Sequence, residues 1–272
     1  MKKLMTMISA AFALLATSCM EHHVTISLNK DGSGTITEET VLGAQMLAMI
    51  QQMSALGGEG AEAADPLADM VDKEKAEATA KEMGEGVTVS KVEKIDEAGR
   101  KGARTVYAFK DINAVKYGFG SGLDGMGDDM GPGGEAEEEE AEEPMKFVYK
   151  DSVLTLKNKG MDAADAADEE EGAKPEAVDP AELAQAKQML GGMKMSIRLE
   201  FPGGIEETNA THRKDNTVTM MEMDMGALLE DPEAFAKLQQ EEPESPAEMA
   251  EVLKGVKGMK VETNEELRVK LK

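Results

Sequence analysis

The chain has 272 residues, with 54 acidic against 30 basic side chains and a formal net charge of −24. That balance excludes nucleic acid as a partner, because phosphate binding needs Lys and Arg to displace condensed counterions. It also excludes adsorption to anionic lipid head groups by charge. One cysteine, no tryptophan and 22 methionines mean no intrachain disulfide and a core built from soft, adaptable side chains.

Lys2 and Lys3 precede an apolar run from Leu4 to Ala16, which ends in Ala16-Thr17-Ser18-Cys19. A run of this length behind a charged start reads as a secretory signal; a membrane span needs about 20 apolar residues. Residues 1–18 are therefore expected to be a signal peptide and 19–272 a single α+β domain. The last four of those residues resemble the lipobox of bacterial lipoprotein precursors, in which small residues precede a cysteine that is lipidated. An ordinary small-residue cleavage site after Ser18 would instead release a soluble protein. Cys19 separates the two, because an exported thiol without a partner is open to oxidation and dimerisation. Lipidation accounts for both its presence and its solitude, so Cys19 is the expected lipidation site and its acyl chains the expected membrane attachment.

Beyond Cys19, residues Met20 to His23 read as a short tether that keeps the domain roughly 10–15 Å from the bilayer. Val24, Ile26 and Leu28 alternate with polar residues up to Asn29-Lys30-Asp31-Gly32-Ser33-Gly34, and alternation resumes through Ile36 to Val41, which predicts a β-hairpin. Met46, Leu47, Ile50 and Met53 fall at helical spacing within Gly43–Leu56. Asp65-Pro66 opens a second expected helix, running to Met83 and closed by Gly84 or Gly86. Val87–Ile95 and Arg104–Lys110 predict another hairpin. Residues 118–144 are Gly-rich and then acidic, with Glu137 to Glu140 consecutive. Their composition predicts a disordered insertion, as does that of 161–178.

Met145–Lys150 and Val153–Lys157 read as a hairpin around Asp151-Ser152. Asp179-Pro180-Ala181-Glu182 has the form of a capping box opening a helix that ends near Gly191-Gly192. Met195, Ile197, Leu199 and Phe201 alternate as a half-buried strand, broken by Pro202-Gly203-Gly204. Thr217–Met225 reads as another strand and Asp231-Pro232 as a helix start. Ser245-Pro246-Ala247-Glu248 opens a helix with Met249, Val252, Leu253 and Val256 on one face. Leu267, Val269 and Leu271 close the chain as a strand expected to be buried, since so apolar a terminus frays unless it pairs. Hairpins interspersed with helices, without regular strand–helix alternation, predict an α+β fold with a mostly antiparallel sheet.

Three groups of residues invite a chemical reading. Asn29, Asp31, Ser33 and Gly34 occupy calcium-loop places, but the twelfth place holds Thr40, with Glu39 one short, and the flanks alternate instead of being helical. A hairpin turn explains each of those residues. Met220, Met221, Met223 and Met225, with Met193 and Met195, could offer thioethers to a soft metal; alternation places Met221, Met223 and Met225 on one strand face, where they read as core. His22 and His23 point to opposite sides of an extended chain, and His212 is the third histidine. No nucleophile elbow, dinucleotide fingerprint or phosphate-binding loop is present in the sequence. No catalytic residue, cofactor or metal is therefore expected, and the chain reads as non-enzymatic.

Two stretches resemble a group of bacterial envelope lipoproteins that includes those with an LppM-type domain. The first is Val24 to Glu38, with its Asp-Gly-Ser-Gly turn. The second is Phe201 to Ala210, followed by Asp215 to Thr219 and Met225 to Leu229. The resemblance implies a β-rich scaffold and interaction with an envelope lipid or glycolipid. The expectation is thus a binding module for an envelope lipid, glycolipid or protein on the periplasmic side of an outer membrane, since Met20 stands where an Asp would retain it in an inner membrane. In a single-membrane cell the place would be the outer face. A structural, partner-presenting envelope protein is the alternative.

Overall fold

In a computed structural model of the chain, residues 19–56, 66–97, 99–118, 145–157, 180–240 and 246–272 are described. The expected signal peptide, both expected acidic insertions except Gly118, and the expected caps Asp65, Asp179 and Ser245 lie outside them.

The fold is α+β. Strands β1 (Met20–Leu28) and β2 (Gly34–Leu42) pair antiparallel in unbroken register from Met20↔Leu42 to Leu28↔Gly34. Their alternation sends Val24, Ile26, Leu28 and Ile36 inward, each almost fully buried. At the turn, the Asp31 carboxylate accepts from the Ser33 N–H at 3.0 Å and the Ser33 hydroxyl at 2.6 Å. Gly34 is required there, because a Cβ would run into the Ser27 carbonyl and the Phe109 ring. The strand begins at Met20, so the expected tether is a paired strand instead: seating next to β2 satisfies its backbone groups.

Helix α1 (Ala44–Leu56) follows directly. The expected helix from 66 to 83 is two, α2 (Pro66–Met70) and α3 (Lys73–Glu82). Asp72 divides them: its extended backbone and side-chain oxygen cap α3, accepting from the Glu74 and Lys75 N–H groups. β3 (Thr88–Glu97) and β4 (Arg100–Phe109) form the second hairpin, and a 3-10 turn at Ile112–Ala114 leads to β5 (Lys116–Tyr117). β6 (Met145–Lys150) and β7 (Val153–Lys157) meet at Asp151 and Ser152, both with positive φ (52° and 62°), as a two-residue hairpin turn demands. Then come α4 (Pro180–Leu190), β8 (Met193–Glu200), β9 (Ile205–Thr208), β10 (Arg213–Lys214) and β11 (Thr217–Asp224).

The chain closes with α5 (Met225–Leu229), α6 (Pro232–Gln240), α7 (Pro246–Val252), β12 (Met259–Val261) and β13 (Glu266–Leu271). α7 stops at Val252, before Leu253 and Val256; the chain turns at Gly255, which has a φ of 82°.

Eight strands make the larger sheet, in the order β10-β11-β8-β1-β2-β4-β3 with β12 alongside β11. One pairing was not readable locally: β1 and β8 run parallel, from Met20↔Met193 to Ser27↔Glu200. The smaller sheet has the order β5-β6-β7-β13-β9. The terminal strand is therefore internal, and Leu267 and Val269 are fully buried, with Leu271 nearly so. Both sheets bury their apolar faces in one cluster, where Ile26, Ile36 and Phe109 of the larger sheet join Leu154, Leu156 and Val269 of the smaller. Ala76, Ala80 and Met83 from α3 and its C-terminal cap complete it.

Candidate functional site

Cys19 sits where the larger sheet begins. Its N–H donates to the Gly192 carbonyl at 3.1 Å, and its carbonyl accepts from the Gly43 N–H at 2.8 Å. Cys19 is thus stitched on one side to the residue before α1 and on the other to the turn between α4 and β8. Gln45 of α1 adds a bond from its amide to the Gln188 carbonyl of α4 at 3.2 Å. Cys19 is itself 6% exposed and lies at the α1–α4 margin.

From that margin inward, the core face of the sheet changes character row by row. Past the edge row of Met193, Met20, Leu42 and Lys101, the first row to cross six strands holds Met259, Met223, Met195, His22, Thr40 and Ala103 in register. The next holds Val261, Met221, Ile197, Val24, Glu38 and Thr105. The third holds Leu199, Ile26, Ile36 and Tyr107 and is wholly apolar but for the tyrosine hydroxyl.

Two titratable groups, buried His22 and half-buried Glu38, lie in these first two rows. His22 Nδ1 is hydrogen-bonded to Thr40 Oγ1 at 2.9 Å, while its Nε2 has no hydrogen-bond partner. Burial, and then the neighbouring charge of His23, lowers its pKa to about 4, so the ring is neutral at pH 7. His23, on the other face, bonds Ser196 Oγ at 2.8 Å, and burial lowers its pKa too. Glu38 accepts from the Tyr117 hydroxyl at 3.0 Å, and burial, partly offset by Tyr117 and Tyr107, raises its pKa to about 7. The Tyr107 hydroxyl is held protonated by burial and by Glu38 beside it. Burial wins over hydrogen bonding here because two phenol donors do not replace the hydration of a carboxylate.

The methionines partly follow expectation. β11 carries a bulge between Thr219 and Met221, so Met220 and Met221 are both buried instead of pointing to opposite faces. The strand stops at Asp224, whose side chain caps α5 by accepting from the Ala227 N–H at 3.1 Å. Met225 is therefore helical and does not share the strand face expected for it with Met221 and Met223. It joins Leu228 and Leu229 as the buried centre of a second, smaller cluster, ringed by half-buried Leu183, Leu190, Met193, Met223, Phe235 and Met259. The Asn29–Thr40 stretch is a hairpin whose turn donors bond one another, with Asn29 Nδ2 on Ser33 Oγ at 3.2 Å. His212 lies far from His22 along the chain, on the loop before β10, where its carbonyl accepts from the Thr219 N–H.

Glu38, Tyr107, Tyr117 and the inward aspect of His22 were missed as a group. The signal was present: Ile36 and Val24 point inward, so Glu38, Thr40 and His22 share their parity. Glu262 was missed as well; nearly fully buried, it accepts from the Thr211 N–H and hydroxyl and from the Asn264 N–H and side-chain amide, joining two loops.

Among the described residues no helix is long and apolar enough to cross a membrane. No family model matches the chain, and no curated protein matches it either. The architecture defines an α+β protein of two sheets. Among solved structures, the folded domain of LppM from Mycobacterium tuberculosis, determined by NMR, aligns with 77% of this chain and 84% of its own length, at 10% identity and a TM-score of 0.33. At that score no residue role is carried over from it.

Proposed function

We propose that the chain is a lipid-anchored envelope lipoprotein that works by binding and not by catalysis. Its ligand is an envelope lipid, glycolipid or protein, taken against the soft surface beside the anchor. The observation that carries this reading is the position of Cys19: the sole cysteine, behind a lipobox-like run, stands immediately before the first strand, with its backbone bonded on both sides. A fold that begins at its anchor presents the adjoining surface to the bilayer. That surface is the small methionine-rich cluster, in which three buried residues are ringed by half-buried Met, Leu and Phe side chains. Unbranched thioether side chains repack around apolar ligands at little cost. The polar groups inside the fold support binding over chemistry, since Glu262, half-buried Glu38 and His22 through its Nδ1 hold protein partners. The absence of an Asp after Cys19 supports the outer membrane, facing the periplasm.

A purely structural, partner-presenting role is the second reading, favoured by the dense packing of the larger cluster. Native mass spectrometry of the detergent-extracted protein separates the two. The binding reading expects a diacylglyceryl mass on Cys19 together with a co-purified lipid or glycolipid, or a bound envelope protein. An acylated chain that always flies alone leaves only the structural role, and an unmodified Cys19 contradicts both.

A further inference from the structure

Helix α1 is chemically unlike the rest of the molecule. Residues 40–58 carry no charge, in a chain of which 31% is charged. Within α1, Met46, Leu47, Met49 and Ile50 recur at helical spacing, and the polar positions are the neutral Gln45, Gln51, Gln52 and Ser54. An apolar helix of this kind is normally buried against its own protein. Here no described side chain of α1 is buried: Met46, Leu47 and Ile50 are half-buried, and Ala44, Gln45, Ala48, Met49 and Gln52 are exposed. Met49, at 40%, is one of two large apolar side chains exposed among the described residues.

Its position says what covers it. The residue before α1, Gly43, is bonded to the Cys19 carbonyl at 2.8 Å, and α1 is tied again through Gln45 to α4. Acyl chains on Cys19 therefore enter the bilayer beside the first turn of α1, with no tether to hold them apart. We propose that α1 lies in the membrane interface, with Met49 and its apolar neighbours among the lipid acyl chains, and so fixes the orientation of the domain on the bilayer. The proposal rests on lipidation of Cys19. At 13 residues the helix is roughly 20 Å long, too short to cross a hydrocarbon core of roughly 30 Å, so it lies in the surface.

Interfacial helices usually add basic residues that attract anionic lipid. This one has none, and the domain around it is strongly anionic, so the contact is apolar and insensitive to salt. Few side chains insert, so α1 orients the domain and the acyl chains retain it.

The test uses the full chain, extracted in its lipidated form and reconstituted into phosphatidylcholine vesicles. Lipidation consumes the only native thiol, so Met49→Cys, Ala48→Cys and Lys30→Cys each offer one site for an environment-sensitive nitrobenzoxadiazole label. Lys30 lies at the far end of the β1–β2 hairpin, roughly 25–30 Å from Cys19. With brominated acyl chains in the vesicles, the Met49 label should lose most of its emission, the Ala48 label less and the Lys30 label none, equally at low and high salt. Protein that floats with the vesicles while its Met49 label stays as bright as the Lys30 label overturns the proposal and leaves the anchor intact. Protein that fails to float, or a parent chain whose Cys19 takes up the label, overturns the anchor and this inference with it.

Discussion

The two ends of the larger sheet are built on different principles. Away from Cys19, Leu28, Ile36, Phe109 and Leu199 interlock with Phe147, Leu154 and Val269 of the smaller sheet in one large buried cluster. Polar bonds reinforce it: the Tyr149 hydroxyl donates to the Lys30 carbonyl at 2.8 Å, and the Ile112 N–H to the Gly32 carbonyl at 3.0 Å. Beside Cys19 the same sheet carries His22, Thr40 and a row of methionines, and its helices enclose only a small buried centre. Branched and aromatic side chains specify one packing, whereas methionine tolerates several. The difference teaches that stability and adaptability are assigned to opposite ends of one sheet, with the adaptable end beside Cys19.

The largest effect should come at the stable end. Val269 is fully buried between β7 and β9, so Val269→Asp places an unpaired charge among Leu154, Leu267 and their neighbours. A loss of roughly 4 kcal/mol or more is expected, read as a collapse of the thermal unfolding midpoint. A variant melting within about a degree of the parent would erase the contrast between the two ends.

An intermediate effect follows from His22 and Glu38 in the first two of those rows. Glu38 keeps its proton to about pH 7 when folded, against an ordinary 4.5. The folded state then binds more protons across that window, and its stability falls as pH rises through it. His22 acts in the opposite sense, with a folded pKa near 4 against an ordinary 6.5, so its contribution is present above pH 6.5 and lost as pH falls towards 4. Between about pH 4.5 and 6.5 the two slopes oppose each other. Glu38→Gln should expose the histidine slope, making stability rise with pH by on the order of 2 kcal/mol and raising it at pH 8. His22→Gln should leave stability falling across the same window. Parallel urea titrations of parent and variants check this, and profiles of the same slope in all three would remove the pair from the account.

The smallest effect is expected at the adaptable end. Met223→Ala, half-buried beside Met195 and Met259, should cost about 1 kcal/mol or less, because neighbouring thioethers can close the gap. A cost as large as a core Leu→Ala substitution would show that the methionines pack as rigidly as the far cluster.

Local pattern carried much of this fold. Alternation in Val24–Leu28, Met145–Lys157 and Leu267–Leu271 located strands that the structure pairs as hairpin partners or at the sheet interior, because a period of two is visible within six residues. What was lost depended on contacts distant in sequence. The parallel pairing of β1 with β8 joins residues some 170 positions apart, and β9, β10 and β12 are too short to show a period. Asp72 interrupts an otherwise continuous helical pattern, and the bulge at Met220 shifts the parity of a methionine run. At the site, the lone Cys19 and the small residues before it are legible in the sequence, whereas its backbone bonds to Gly192 and Gly43 are not. His22 was placed in a tether because a strand cannot be distinguished from a linker until its partner is known.

The central claim is that the chain is held at a membrane by lipid on Cys19 and by nothing else strong enough to retain it. Cys19→Ala, expressed as the full precursor and followed by detergent-phase partitioning of the membrane and soluble fractions, tests it directly. The account predicts that the parent partitions with detergent while the variant moves to the aqueous phase, because the apolar face of α1 alone is too small to retain so anionic a domain. A variant that stays wholly with the membranes and in the detergent phase would contradict it.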